Sequence, residues 1–146
     1  MKRLLSLGVL LLFVITMVTA QDVVGIWKTI DDETGKARSY VKVYKAQNGM
    51  FYGKVTKLLN RTADEPEDPT CIACPENDYR YNKKVMGMTI LTKLKKSGEE
   101  YVGGQILDPK KGKIYKCKIW TEGKNTLKVR GYVGPFFRTQ TWHRVE

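Results

Sequence analysis

The chain has 146 residues, 42% of them hydrophobic and 28% charged, with a formal charge of +11, one His and three Cys. That length fits a single domain, and the composition excludes wholesale disorder. One His and three Cys leave little material for a multi-ligand metal centre or a His-dependent catalytic constellation. In chain order, Lys2 and Arg3 form a positive flank, Leu4 to Val18 is almost wholly apolar, and Val18-Thr19-Ala20 offers small residues for cleavage before Gln21. This pattern predicts a signal peptide over 1–20 and an exported protein, periplasmic or secreted. The apolar run is shorter than the roughly 20 residues of a membrane span, so no membrane-spanning segment is expected.

Without Lys2 and Arg3 the mature chain (21–146) carries 24 basic against 15 acidic residues. Such a surface favours acidic partners, but the lysines are dispersed and no nucleic-acid module is present, so nucleic acid is not an expected partner. The mature chain reads as short Val-, Ile-, Tyr-, Phe- and Thr-rich runs separated by Gly, Asn, Asp and Pro. Strands are predicted near 24–30, 38–46, 50–59, 86–94, 100–107, 113–120, 126–133 and 137–145. Asn48-Gly49 is the best hairpin signal. Residues 83–96 also contain good helix formers. Consecutive hairpins leave two open edges, which closure abolishes, so the expected fold is all-β: an antiparallel up-and-down barrel of about eight strands.

Alternation places Val41 and Val43 on one face, opposite Tyr40, Lys42 and Tyr44. It also separates Tyr115, Cys117 and Ile119 from Lys116, Lys118 and Trp120. In the last strand Arg138, Gln140, Trp142 and Arg144 share a face against Thr139, Thr141, His143 and Val145. Whether that face points inward is open. If it does, a buried guanidinium requires an internal carboxylate or a bound anion.

Cys71-Ile72-Ala73-Cys74 matches C-x-x-C, yet Pro75 and Glu76-Asn77-Asp78 continue a loop where a redox motif needs a helix N-terminus. A Cys71–Cys74 disulfide with Cys117 as a buried free thiol is the favoured reading, and links from Cys117 to Cys71 or Cys74 stay open. Cys71, Cys74, Cys117 and His143 would make a zinc site only without the usual second close pair, so no metal is expected. The connection over about 60–82 is long and reads either as a lid across a barrel mouth or as a flexible acidic insertion. Asp31, Asp32 and Glu33 lack calcium-loop spacing and read as a hairpin turn. Asp31 or Asp108 with Glu100 would give paired carboxylates, but both Asp sit in turns where they cap the chain. No catalytic residue and no cofactor are assigned.

Gly25-Ile26-Trp27 in the first strand, with a basic residue in the last, resembles the Gly-x-Trp signature of lipocalins and other calycins. The resemblance implies that a C-terminal Arg, Arg138 or Arg144, packs across Trp27 by cation–π stacking, with Arg144 taken as the barrel-closing partner. A broader resemblance runs along nearly the whole mature chain. It rests on 25–36, Cys71-Ile72-Ala73-Cys74, 103–115, Lys128-Val129-Arg130-Gly131-Tyr132-Val133-Gly134 and Arg138-Thr139-Gln140-Thr141-Trp142. These segments are similar to a bacterial family known as domain of unknown function 2147, which implies a small exported protein with a calycin-like barrel and no established activity.

The expected function is non-enzymatic binding of a small acidic or amphipathic ligand, or of an envelope component. The expected contacts are Arg130, Arg138 and Gln140, with Tyr132 and Trp142 as aromatic walls. The alternative is a filled barrel acting as an envelope protein–protein module through Tyr40, Tyr44 and Trp120.

Overall fold

The computed structural model describes residues 22–145, so the expected leader lies outside the described residues. Eight strands follow one another: β1 (Gly25–Ile30), β2 (Ala37–Lys45), β3 (Phe51–Leu58), β4 (Thr89–Ser97), β5 (Glu100–Asp108), β6 (Lys113–Thr121), β7 (Thr126–Val133) and β8 (Phe136–Arg144). Each pairs antiparallel with the next, and β1 pairs with β8, closing the barrel. The closing seam is short, pairing Trp27 with Arg144 and Lys28 with His143, and it joins the two edges that an open sheet would leave apart. Among the described residues no helix is long and apolar enough to cross a membrane.

Turn chemistry sets the hairpins. At Asn48-Gly49 the glycine adopts φ +81°, and the Asn48 side chain accepts the Met50 N–H. In the β1–β2 turn the Asp31 carboxylate accepts the backbone N–H groups of Glu33 and Thr34 and the Thr34 hydroxyl. Those bonds, the Thr34 N–H foremost, hold the Asp31 carboxyl below its ordinary range.

One end of the barrel is solid. Trp27, Val41, Val43, Leu94, Leu127 and Trp142 are buried there with neighbours from every strand. Trp27 Nε1 donates to the Val23 carbonyl at 2.8 Å. The Arg144 guanidinium carbon lies 4.1 Å from the Trp27 ring centroid. Arg144 also donates to the carbonyls of Lys124, Val24 and Asp22, so one side chain ties the N-terminal segment and the β6–β7 turn across the Trp.

β4 begins at Thr89, three residues later than the sequence pattern suggests. The cause is a turn at Gly87, φ +80°, whose N–H bonds the Val55 carbonyl while Val55 N–H bonds Met88. The helix-forming residues of 83–96 yield to strand pairing with β3 and β5, a tertiary override of propensity.

The β3–β4 connection is ordered by its own bonds. Thr70 bridges Lys84, and Cys71 exchanges backbone bonds with Asn82 and Lys83. Arg80 is nearly buried, forms a 2.8 Å ion pair with Asp78 and donates to the Thr89 carbonyl. By register Ile90 and Leu107 face out of the barrel, yet both are buried with Cys71, Cys74 and Val85. The connection therefore covers a second apolar layer on the outside of the barrel.

Cys71 and Cys74 form the disulfide, and Cys117 is a buried free thiol inside the barrel. Burial pushes the Cys117 thiol up to about 12. The thiolate is the reactive species, so alkylation of folded protein at mildly alkaline pH is expected to run roughly a thousandfold slower than in urea. A mass-spectrometric time course with iodoacetamide reads the ratio.

Candidate functional site at the open end of the barrel

The opposite end of the barrel is hollow. A cavity of about 900 Å³ opens among the β1–β2 turn, the β5–β6 and β7–β8 hairpins and the start of the β3–β4 connection, and it extends beyond the barrel interior to Val85, Ile90 and Leu107 beneath that connection. Its floor is Trp142 and Val129, and its walls include Val55, Ile106 and Tyr115. Gly131 widens it, because a Cβ there would meet only Tyr115 and Ile106 at 3.5–3.9 Å.

A polar chain climbs from floor to rim on β8. Trp142 Nε1 donates to Gln140 Oε1 at 3.0 Å, and Gln140 Nε2 donates to Asp32 Oδ2 at 2.6 Å. Arg138 stands 3.6 Å from the same Asp32 oxygen. Thr29 and Ser39 are buried beside the cavity and satisfy each other through a 2.8 Å hydroxyl bond. Arg61, on the wall, gives Nε to Glu65 and Nη1 to the Glu67 carbonyl. Its Nη2 is a buried donor without an acceptor.

Charge pairs cross the opening between elements that are not sheet neighbours. Arg38 on β2 lies 3.2 Å from Asp108 on β5 and 3.8 Å from Asp31, and Lys111 lies 3.0 Å from Glu33. The β1–β2 turn is thus tied to the β5–β6 hairpin. Each pair is solvent-accessible and individually weak, so the ties set position more than stability. The cavity lining carries seven Lys or Arg side chains against four Asp or Glu.

The family profile of uncharacterized proteins conserved in bacteria, DUF2147, matches residues 25–144. The chain belongs to this family. The DUF2147 barrel is also similar in structure to protein HP1028 from the human pathogen Helicobacter pylori, which belongs to the lipocalin family. The TM-score is 0.71 at 23% identity, covering 86% of this chain and 84% of HP1028. At that identity the likeness carries the fold alone. No curated protein matches the chain.

In this DUF2147 member the five residues proposed as contacts separate into two groups. Arg138, Gln140 and Trp142 line the cavity. Arg130 and Tyr132 do not join them: they stand on the outer face, where Arg130 donates to Thr139 and stacks on Trp120 and Phe137. The reason is register, since Gly131 lies opposite Arg138 and Val129 opposite Gln140. Asp32, read from sequence as a turn residue, meets Arg138 at the rim, where the Arg138 side chain is 72% exposed, so no buried guanidinium has to be compensated. The Asp31-Asp32-Glu33 cluster offers an acid for each of three basic partners, a signal that local turn logic conceals.

The residues weighed for other chemistry lie apart. His143 sits on the outer face of β8, Cys117 is inside, and Cys71 and Cys74 are tied to each other. Among the described residues no cluster of three or more His, Cys, Asp or Glu is placed to hold a metal. The aromatics weighed as protein anchors are covered by cations: Lys57 over Tyr40, Lys54 over Tyr44, and Lys118 and Arg130 over Trp120. Of the two sequence readings, the long connection follows the one that places it at the barrel mouth: it is folded by its own bonds, and residues between Asn60 and Ala73 form one wall of the cavity.

Proposed function

We propose that this protein is an exported, non-enzymatic binding protein that holds a small amphipathic anion in the hollow half of its barrel. The observation that carries the reading is the cavity of about 900 Å³, with an apolar floor, a Gln140–Arg138 polar edge and an excess of cations. That volume lies within the range of small-molecule pockets, and a few placed polar groups among apolar walls are what such pockets use for orientation. An apolar body would rest on Trp142, Val129 and Ile106, with the anionic end among Arg138, Lys113 and Arg61. Lipocalin-like barrels are usually non-catalytic, and the acidic residues of the mouth are engaged in ion pairs, an arrangement that supports binding over proton transfer. Export rests on the leader-like pattern of residues 1–20.

The test uses 1-anilinonaphthalene-8-sulfonate as an amphipathic anion and N-phenyl-1-naphthylamine as its uncharged counterpart. The sulfonate is expected to bind more tightly. Arg138→Ala is expected to weaken it about threefold to fivefold, the scale of a solvent-accessible charge pair, while Arg130→Ala leaves it unchanged. Gly131→Leu projects a side chain into the cavity beside Tyr115 and Ile106 and is expected to weaken binding of both probes with the far-ultraviolet spectrum retained. Undiminished binding in Gly131→Leu would overturn the assignment.

A further inference from the structure

The β7–β8 hairpin carries the most exposed apolar cluster on the sheet. Phe136 is 75% exposed, and Val133 and Phe137 are each 59% exposed. They surround a two-residue turn, Gly134-Pro135, in which Gly134 adopts φ +54°. The tight turn makes the cluster a protruding tip, and that tip borders the cavity mouth. Ile72, also well exposed, borders the same opening from the β3–β4 connection.

Four cations surround the tip. The Arg130 guanidinium lies 4.2 Å from the Phe137 ring, and Arg138 follows Phe137 in the chain. Lys116 pairs with Tyr132, whose ring is 6.2 Å from Phe137, and Lys113 starts the same strand at the mouth. Asp32 meets this group through Arg138, and Asp108 lies opposite Lys113 in the β5–β6 ladder. Arg130 and Phe137 do not neutralise each other: the ring accepts the cation on its face and leaves the net charge in place.

We propose that this aromatic tip docks the barrel, mouth first, on an anionic phospholipid bilayer. Three apolar side chains on a convex turn are far smaller than the roughly 800 Å² a stable protein partner requires from each side. They suit the interfacial region of a bilayer, where apolar side chains enter the headgroup boundary while backbone polar groups stay near water. The surrounding cations supply the complement to anionic headgroups, each raising partitioning by roughly fivefold at the surface. The docking surface shares Arg138 and Lys113 with the ligand reading, but its apolar part is the rim residues Val133, Phe136 and Phe137 and not the cavity floor.

The experiment is co-sedimentation of the protein with vesicles of equal parts phosphatidylglycerol and phosphatidylcholine, and with vesicles of phosphatidylcholine alone. Binding to the anionic vesicles only is expected, and it should weaken as salt screens the headgroups. The double substitution Phe136→Ser and Phe137→Ser is expected to reduce it by at least about tenfold, the scale of withdrawing partly buried aromatic area, with the melting curve unchanged. Phe136→Trp, placed in the same vesicles made with brominated lipid, should show quenching beyond that of the parent tryptophans. Gly131→Leu, which tests the cavity, should bind vesicles normally. No binding to anionic vesicles, or binding that survives loss of both phenylalanines, overturns the proposal. Tip-dependent dimerisation in sedimentation without lipid would overturn it in favour of a second copy of the chain.

Discussion

Trp27→Ala is expected to lower the unfolding free energy by about 4 kcal/mol, within the range for removing a fully buried Trp from a core. Trp27 has no solvent exposure and fills the solid end of the barrel. Its loss opens a cavity among side chains of β1, β2 and β8 that are fixed by ladder bonds and cannot collapse inward. It also strands the Val23 carbonyl, which accepts the indole N–H, and removes the ring beneath Arg144. Urea denaturation followed by circular dichroism measures the change. Arg144→Met retains aliphatic bulk but removes the cation and three bonds to carbonyls, and should cost about 1–2 kcal/mol. A double-mutant cycle between the two positions should give a coupling of about 1 kcal/mol for the stack. Additive effects would mean that Arg144 acts through its carbonyl bonds alone.

Gly112→Ala is the second large effect expected, about 2–5 kcal/mol when positive-φ strain and overpacking combine. Gly112 sits in the β5–β6 hairpin at φ +66°, and a Cβ there would stand 1.7 Å from the Ala73 carbonyl oxygen. That oxygen belongs to the backbone between the disulfide cysteines, so it cannot swing aside as a side chain does. The substitution should lever the β3–β4 connection away from the hairpin and expose Leu107 and Ile90. Gly98→Ala is the control, since Gly98 has φ +63° with nothing within 4 Å of its Cβ position. Gly98→Ala should cost only about 1–2 kcal/mol of backbone strain and leave the connection closed. Hydrogen exchange over residues 70–88 distinguishes them: protection should fall in Gly112→Ala and not in Gly98→Ala. Equal behaviour would mean that the contact with Ala73 does not hold the connection in place.

Strand positions were legible because their residues and turns agree. β7 has the bounds read from the sequence, β1, β5 and β6 differ by a residue at one end, and β2, β3 and β8 differ by a residue at both ends. The largest departure, at β4, lies where Val85, Met86 and Met88 continue the apolar pattern through a turn that only the bond to Val55 reveals. The candidate site was legible in part. Trp142 and the row Arg138–Gln140 follow from alternation, and a buried Trp fixes which way that row points.

One residue of turn length separated Arg130 and Tyr132 from that row. The sequence reading began the last strand at 137, which leaves three residues in the turn and places the even-numbered residues of both strands on one face. The two-residue turn pairs Val133 with Phe136, so the even positions of β7 face out while those of β8 face in. Because side chains alternate with period two, a one-residue change moves a whole row through the sheet.

The sequence by itself determined the number of strands, their order, the hairpin turns and the Gly-x-Trp start, because propensity, alternation and turn chemistry are local and here point the same way. Only the tertiary structure decided where the barrel is solid and where it is hollow, since that depends on how side chains from eight strands share one interior. It also decided that Asp32 meets Arg138 and Gln140, and that Arg38 reaches Asp108 across the mouth. Those partners are separated by 108, 106 and 70 positions along the chain, and no local rule joins them. Closure of β1 onto β8 brings them within reach.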